Sequence, residues 1–362
     1  MPTKEPPLVT VITVCQNLYT NNRIDSFRQC VHSVHNQDYH RIEHLVIDGA
    51  SADGTATLLE EYAQLGWIRF LSERDSGIYD AMNKGLRMAQ GKYIAYLNSD
   101  DFWHRKEAVS ASVEALERSG ATFSYAPRTL INEDGSFYCT EAAGLGVFPC
   151  LMPFCHQTMF TKRDALLRAN GFDDAHYRSA ADYDLVLRLL LAGEPGVYVP
   201  LNFTSFRMGG FSAADSLSRQ ECERSRLTLL GEKAAGLLRQ GQMDDDLMQR
   251  IMGRVHPQTA LDILRCFVRC SPGVYQLAYG LIRNYPSRQK QVVSGGAPKQ
   301  NSIYRLFNIL PVLRRKQRPS RVDWFLFACL PVLRVRRFCN STRLYLLFVI
   351  PLVTIRQYCR CQ

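Results

Sequence analysis

The run Tyr93-Ile94-Ala95-Tyr96-Leu97 is apolar, as a strand buried on both faces must be, and it stops abruptly in Asn98-Ser99-Asp100-Asp101. Carboxylates at the C-terminal end of such a strand stand where open α/β sheets take their ligands. Hard oxygen donors there suit Mg²⁺ or Mn²⁺ holding a diphosphate. The same residues also read as a helix cap, because Ser and Asp are good N-cap types. A second acidic cluster, Asp182-Tyr183-Asp184, opens a helix that continues through Leu185, Val186, Leu187, Leu189 and Leu190. Two acids exceed what a helix N-terminus requires, and one of them can serve as a general base toward a hydroxyl. Asp48 ends another apolar run, where a carboxylate can accept hydrogen bonds from a nucleobase N–H or a ribose hydroxyl. Gly49 and Gly54 behind it let the backbone approach a ligand closely. In the polar segment 74–85, Arg74 or Lys84 can neutralise phosphate charge. His156-Gln157, before Thr158-Met159-Phe160, reads either as a structural histidine or as a ligand contact.

These groups need a scaffold, and the patterning supplies one. Leu8–Val14 and His44–Asp48 are β-branched or apolar runs that predict strands, as do Trp67–Leu71 and Tyr93–Leu97. Between them, Ile24–Val34 places Phe27, Cys30, Val31 and Val34 at spacings of three and four, which predicts a helix. Helices are also predicted from Asp53-Gly54-Thr55 to Tyr62 and over Ile78–Met88. Strands alternating with helices over about a hundred residues indicate a doubly wound, mostly parallel sheet. The pattern then changes. Thr122–Tyr125 and Arg128–Ile131 with the turn Asn132-Glu133-Asp134-Gly135 suggest an inserted antiparallel section. Val197–Val199 and Phe203–Phe206 read as short strands, residues 216–270 as helices, and Ser294-Gly295-Gly296-Ala297-Pro298 as a linker.

Composition narrows the classes. At 362 residues, 46% hydrophobic and 22% charged, the chain is globular and long enough for more than one unit. Its net charge of +10 is unevenly divided. Residues 1–281 carry 28 Lys and Arg against 33 acids, a balance of −5, whereas residues 282–362 carry 16 basic residues against one acid, Asp323, a balance of +15. The N-terminal sequence does not fit a signal peptide, and the twelve cysteines show no paired metal spacing, so they read as reduced thiols in a cytosolic protein. Gly49 and Gly54 have the spacing of a P-loop, but Thr55 stands where its Lys must be. No Gly-x-Gly-x-x-Gly follows the first strand, which argues against a dinucleotide-binding dehydrogenase.

The basic tail contains an internal repeat. Pro311, Pro331 and Pro351 recur every twenty residues in apolar frames followed by basic residues, such as Leu326-Phe327-Ala328-Cys329-Leu330-Pro331-Val332-Leu333-Arg334. Its uncharged runs, Trp324–Leu333 and Leu344–Ile355, fall short of the ~18–20 residues needed to span a bilayer. Apolar segments rimmed with Arg fit an interfacial mode on anionic lipid across residues 300–362. A packed oligomerisation module competes with that reading. Nucleic acid is disfavoured, because it calls for interleaved aromatics and less aliphatic bulk.

Five ordered motifs identify a resemblance over residues 7–215: Val-Ile-Asp-Gly-x-Ser-x-Asp-Gly-Thr at 46–55, Asp-x-Gly-Ile-Tyr-Asp-Ala-Met-Asn-Lys-Gly at 75–85, Gly-Lys-Tyr-Ile-x-Tyr-Leu-Asn-Ser-Asp-Asp at 91–101, His-Gln-x-x-Phe at 156–160 and Asp-Tyr-Asp-Leu-x-Leu-Arg at 182–188. Together they resemble the family 2 glycosyltransferases of the GT-A fold, and within them the bacterial polysaccharide and lipopolysaccharide enzymes. The resemblance implies an α/β GT-A domain over 1–215; beyond it the patterning reads as a helical extension over 216–293 and a basic, membrane-associating tail over 294–362. It implies that Asp48, Asp75, Lys84, Asn98, Ser99, Asp100 and His156 bind a nucleotide-sugar, with UDP as the expected nucleotide. Asp100 and Asp101 would hold Mn²⁺ or Mg²⁺, and Asp182 would be the base of an inverting transfer to a lipid-linked saccharide or polysaccharide. Such an enzyme is expected on the cytoplasmic face of the inner membrane, with a homo-oligomer as an option. Three departures stand out: Asn98 replaces the first Asp of the Asp-x-Asp motif, Ala181 precedes Asp182 where many relatives have Glu, and Ala50 and Ala52 replace a more usual Gly and Thr. Asn98 keeps open a non-catalytic nucleotide-sugar-binding membrane scaffold, and a sugar nucleotidyltransferase is a further alternative.

Overall fold

The computed structural model describes residues 5–209, 215–239 and 244–267, and six strands between 301 and 356. By its contacts the chain divides into two units, Met1–Arg283 and Asn284–Gln362. The first begins as the alternation predicts: β1 (Val9–Cys15), α1 (Ile24–His35), β2 (Ile42–Asp48), α2 (Thr55–Gln64), β3 (Arg69–Ser72), α3 (Ile78–Met88) and β4 (Tyr93–Tyr96). Then follow β5 (Phe102–Trp103), α4 (Ala108–Ser119), β6 (Phe123–Tyr125), β7 (Arg128–Ile131), β8 (Phe137–Glu141), β9 (Phe160–Lys162), α5 (Arg163–Arg168), α6 (Ala181–Leu191), β10 (Gly196–Tyr198) and β11 (Thr204–Arg207). Helices α7 (Asp215–Leu230), α8 (Glu232–Arg239), α9 (Asp245–Met252) and α10 (Pro257–Phe267) complete its described part.

The main sheet has the order β10-β6-β9-β4-β1-β2-β3. Strands β4, β1, β2 and β3 run parallel, and β9 enters antiparallel between β4 and β6. Buried on both faces, β1 sorts its side chains by alternation. Val9 and Val11 join the core that α4 covers, while Ile12 and Val14 join the core that α3 and α6 cover. Helix α1 buries the four residues that its spacing predicts, Phe27, Cys30, Val31 and Val34. The hairpin of β7 and β8 turns at Asn132–Ser136 and belongs to a second sheet of order β5-β11-β7-β8.

Two features position the site. Strands β1, β2 and β4 end together, so Cys15, Asp48 and Asn98 emerge at one edge of the sheet. Helices α7–α10 do not form a separate body: Leu230, Leu238, Met248 and Leu264 share one core with α3 and α6. The turn after β2 also explains one departure. Ala50 takes φ +55°, the left-handed region in which glycine, the residue more usual at this point, fits without strain.

The second unit is described by its strands β12 (Asn301–Leu306), β13 (Leu310–Arg318), β14 (Arg321–Leu326), β15 (Leu330–Phe338), β16 (Ser341–Leu346) and β17 (Ile350–Arg356). They pair in sequence order as an antiparallel meander, so the twenty-residue repeat is a hairpin repeat. Pro311, Pro331 and Pro351 each lie opposite a register shift, at Tyr304/Arg305, Trp324/Phe325 and Leu344/Tyr345. A bulge is where a strand tolerates a residue that has no N–H to donate. The predicted linker at 294–298 lies outside the described residues.

Candidate active site

A cavity of about 580 Å³ opens at the C-terminal ends of β1 and β4. Its wall brings together Asp75, Asn98, Ser99, Asp100, His156 and Asp182, residues drawn from four separate segments of the chain. On one side lies the turn after β4. Asp100 directs its carboxylate to Arg23, with Nη1 2.8 Å from Oδ2, in a pair that keeps part of its surface in the cavity. Asp101 is buried, and both of its oxygens are engaged: Oδ1 accepts the Arg207 backbone N–H at 2.6 Å, and Oδ2 accepts from the Gln157 amide. Burial, and then the neighbouring Asp100 charge, push the Asp101 carboxyl up to about 8. Gln157 also accepts the Asn98 N–H through Oε1 at 2.9 Å, so one side chain fixes both ends of the turn.

Also lining the cavity, Asp182 lies in the first turn of α6. Its Oδ1 accepts the Tyr183 N–H at 2.8 Å and lies 3.4 Å from the Tyr79 hydroxyl, while its Oδ2 is 3.0 Å from His156 Nδ1. Burial alone would raise its pKa, but the hydrogen bond and charge of His156 and the Tyr183 N–H outweigh it and hold the carboxyl below the usual range. Asp184, its partner in sequence, faces away and binds Arg188 and Ser225.

The remaining expected residues divide. Asp75 lines the cavity and accepts the Gly77 N–H at 3.0 Å. A Cβ on Gly49 would stand 2.7 Å from Asp75 Oδ2, which explains the glycine there. Asp48 is fully buried beneath this point. Its carboxylate accepts from the Ser51 N–H, the Ser51 hydroxyl and the Ser72 hydroxyl, so in this structure it ties β2 to β3 and the following turn. Lys84 does not reach the cavity wall; its ammonium pairs with Glu73 at 3.0 Å and also binds the Arg74 carbonyl. The cations that do line the cavity are Arg23, Arg178 and Arg207, none of which the motifs single out. Nor do they point to Glu221, a buried carboxylate on α7. It accepts the N–H groups of Arg178, Ser179 and Ala180, each at 2.8 Å, and so caps the start of the helix that carries Asp182.

Among the described residues, no group of three or more His, Cys, Asp or Glu side chains could by itself hold a metal ion. The donors at the β4 turn are nevertheless of the right kind. Asp100 offers a carboxylate, and Asn98 Oδ1 is a buried carbonyl oxygen without a hydrogen-bond partner. One carboxylate plus substrate phosphates is a usual way for Mg²⁺-like ions to be bound. Charge and shape therefore suit an anionic, phosphate-bearing ligand with a divalent cation, in one cavity with an ionised carboxylate.

Comparisons with known proteins bear on the family and the fold. Residues 18–167 match the family model described as glycosyl transferase family 2. An uncharacterized glycosyltransferase of Mycobacterium tuberculosis is 32% identical over 202 residues, which span 52% of this chain and 71% of the relative. Two solved structures share the fold. TarS of S. aureus (residues 1–349, in complex with UDP-GlcNAc) aligns with a TM-score of 0.51 at 14% identity, over 78% of this chain and 82% of its own. The mannosyltransferase PcManGT of Pyrobaculum calidifontis, in complex with GDP-Man and Mn²⁺, aligns with a TM-score of 0.50 at 17% identity, over 76% and 80%. The first unit therefore has the GT-A architecture that the motifs imply.

Proposed function

The chain belongs to glycosyl transferase family 2, and we propose that it is an inverting enzyme that moves a sugar from a nucleotide-sugar to an acceptor hydroxyl in bacterial surface-polysaccharide synthesis. The observation that carries this reading is that Asp100 and Asp182, on unrelated elements, line one cavity. In it, the nucleotide lies toward Asp75 and the β1 and β2 ends, with Asp48 bracing that floor from below. The diphosphate lies against the turn of Asn98, Ser99 and Asp100, where Arg23 and Arg207 supply positive charge. Asp100 and Asn98, with Asp101 behind them, would hold a Mn²⁺ or Mg²⁺ ion, which would supply positive charge beside the leaving diphosphate.

Asp182 receives the proton of the acceptor hydroxyl. The oxygen forms a bond to the anomeric carbon as the bond from that carbon to the diphosphate oxygen breaks on the opposite face, which inverts the configuration. The depressed pKa keeps Asp182 ionised and ready to accept. UDP is the expected nucleotide and a lipid-linked saccharide the expected acceptor. The arginine-flanked apolar repeat of residues 300–362 suits a protein that works at an anionic membrane surface, on the cytoplasmic side, where such acceptors are elongated.

Product analysis tests the reading. Wild-type protein should release a nucleoside diphosphate and form a glycoside of the opposite anomeric configuration, and Asp182→Asn should form neither. Pyrophosphate as the product would replace transfer with nucleotidyl chemistry, and retained configuration would contradict the in-line mechanism.

A further inference from the structure

We propose that His156 is a positioning residue for Asp182, and that the turn carrying it keys the base to the acidic turn after β4. The proposal rests on the reading of Asp182 as the base. His156, Gln157 and Thr158 form a single 3-10 turn in which Gln157 and Thr158 are fully buried. From this turn His156 holds Asp182 Oδ2, and the next residue, Gln157, holds Asp101 and the Asn98 N–H. Two consecutive side chains thus hold both Asp182 and the Asn98–Asp101 turn. The turn is itself tied down, since the Thr158 hydroxyl binds the Ala126 N–H at 3.3 Å and the Cys155 carbonyl at 2.8 Å.

The hydrogen bond fixes the histidine as well as the acid. An ionised carboxylate only accepts, so the shared proton sits on Nδ1. Nε2 is buried and has no hydrogen-bond partner, so Asp182 is the group that fixes the ring. On the other side, the Tyr183 N–H and the Tyr79 hydroxyl hold Asp182 Oδ1. With Oδ1 saturated and one lone pair of Oδ2 committed to His156, one lone pair of Oδ2 is left to receive a proton, in a direction that His156 sets. Loss of such a contact leaves donor binding intact and lowers the chemical step, because misplacing a reacting group by about 1 Å costs roughly a hundredfold.

Two measurements on the full-length chain test this. In ¹⁵N-histidine NMR spectra, one imidazole should carry a proton on Nδ1 hydrogen-bonded to a carboxylate, disappear in His156→Ala, and lose that hydrogen-bonded Nδ1 signal in Asp182→Ala. In turnover of UDP-glucose, UDP-GlcNAc or GDP-mannose with Mn²⁺, His156→Ala should lower kcat by roughly 30- to 100-fold with donor KM changed less than about twofold. His156→Asn, whose side-chain N–H can take the place of Nδ1–H, should recover about tenfold or more of that loss. A wild-type His156 whose Nδ1 carries no proton would overturn the proposal. So would a His156→Ala variant that keeps wild-type kcat while Asp182→Asn is inactive. An active Asp182→Asn would instead overturn the base assignment on which the proposal stands.

Discussion

At the scale of single residues, burial decides which polar groups do chemistry and which hold the fold. His44 is a clear case of the second kind. It lies within β2, buried, with Nε2 3.0 Å from the Thr13 hydroxyl, and burial pushes its pKa down to about 3. The folded protein keeps this imidazole neutral, while the unfolded chain titrates it near 6.5. As pH falls below about 6.5, only the unfolded state takes up the proton, so stability drains away from there toward pH 3. Between pH 7 and pH 5 the loss should be about 2 kcal/mol. Asp101, whose carboxyl pKa burial raises, works in the opposite direction over the same window. The His44 contribution is therefore read as the stability difference between wild type and His44→Gln in urea unfolding at pH 7, 6 and 5. That difference should move against the wild type by about 2 kcal/mol from pH 7 to pH 5. An equal slope in the variant would assign the effect elsewhere. Asp48 shows what residue type leaves out. Its position at a strand end predicts a ligand contact, yet two serines close over its carboxylate. Sequence spacing shows where an acid emerges from a sheet but not which hydroxyls fold back onto it.

At the scale of elements, the orientation of α6 is what makes Asp182 available, and that orientation is set from a distant helix. Glu221 on α7 satisfies three N–H groups ahead of α6 that the helix cannot satisfy itself. Glu221→Ala strands them in a buried site and should destabilise the protein by about 3 kcal/mol or more in chemical denaturation. Glu221→Gln, which keeps one acceptor oxygen, should cost clearly less; equal losses would mean that side-chain volume, not hydrogen bonding, is at stake. No local signal marks Glu221, because a Glu in a polar helix reads as a solvated face. Elements with strong apolar periodicity were legible: α3 spans the predicted Ile78–Met88, and α1 buries its predicted stripe. Helix α4 was not, since its sequence AVSASVEALERS uses small residues that blur the apolar stripe, and β9 is three residues long. The acidic turn was legible as an apolar strand that ends in carboxylates. Its partners Arg23, Arg207 and Gln157 come from three other segments, so only the folded chain assembles them.

At the scale of the whole molecule, the chain divides into a slightly acidic unit that carries the site and a basic repeat unit. Among the described residues no helix is long and apolar enough to cross a membrane. The proposed membrane role rests on surface attraction by the basic repeat, in which each basic side chain near an anionic leaflet contributes about 1 kcal/mol. The full chain should cosediment with vesicles containing phosphatidylglycerol and be released as salt rises toward ~0.5 M, where screening is strong. Replacing Arg314, Arg315, Lys316 and Arg318 with Gln should weaken retention. Equal binding to phosphatidylcholine vesicles would point away from a charge-driven surface. The central claim, however, concerns the cavity: Asp182 acts in the chemical step and not in donor binding. Its most direct test compares nucleoside-diphosphate binding and sugar transfer in Asp182→Asn, with Mn²⁺ present. Binding should stay within about threefold of wild type while turnover falls by roughly 10²–10⁴-fold, the range that a positioned general base supplies. Turnover near the wild-type rate, with binding intact, would contradict the account.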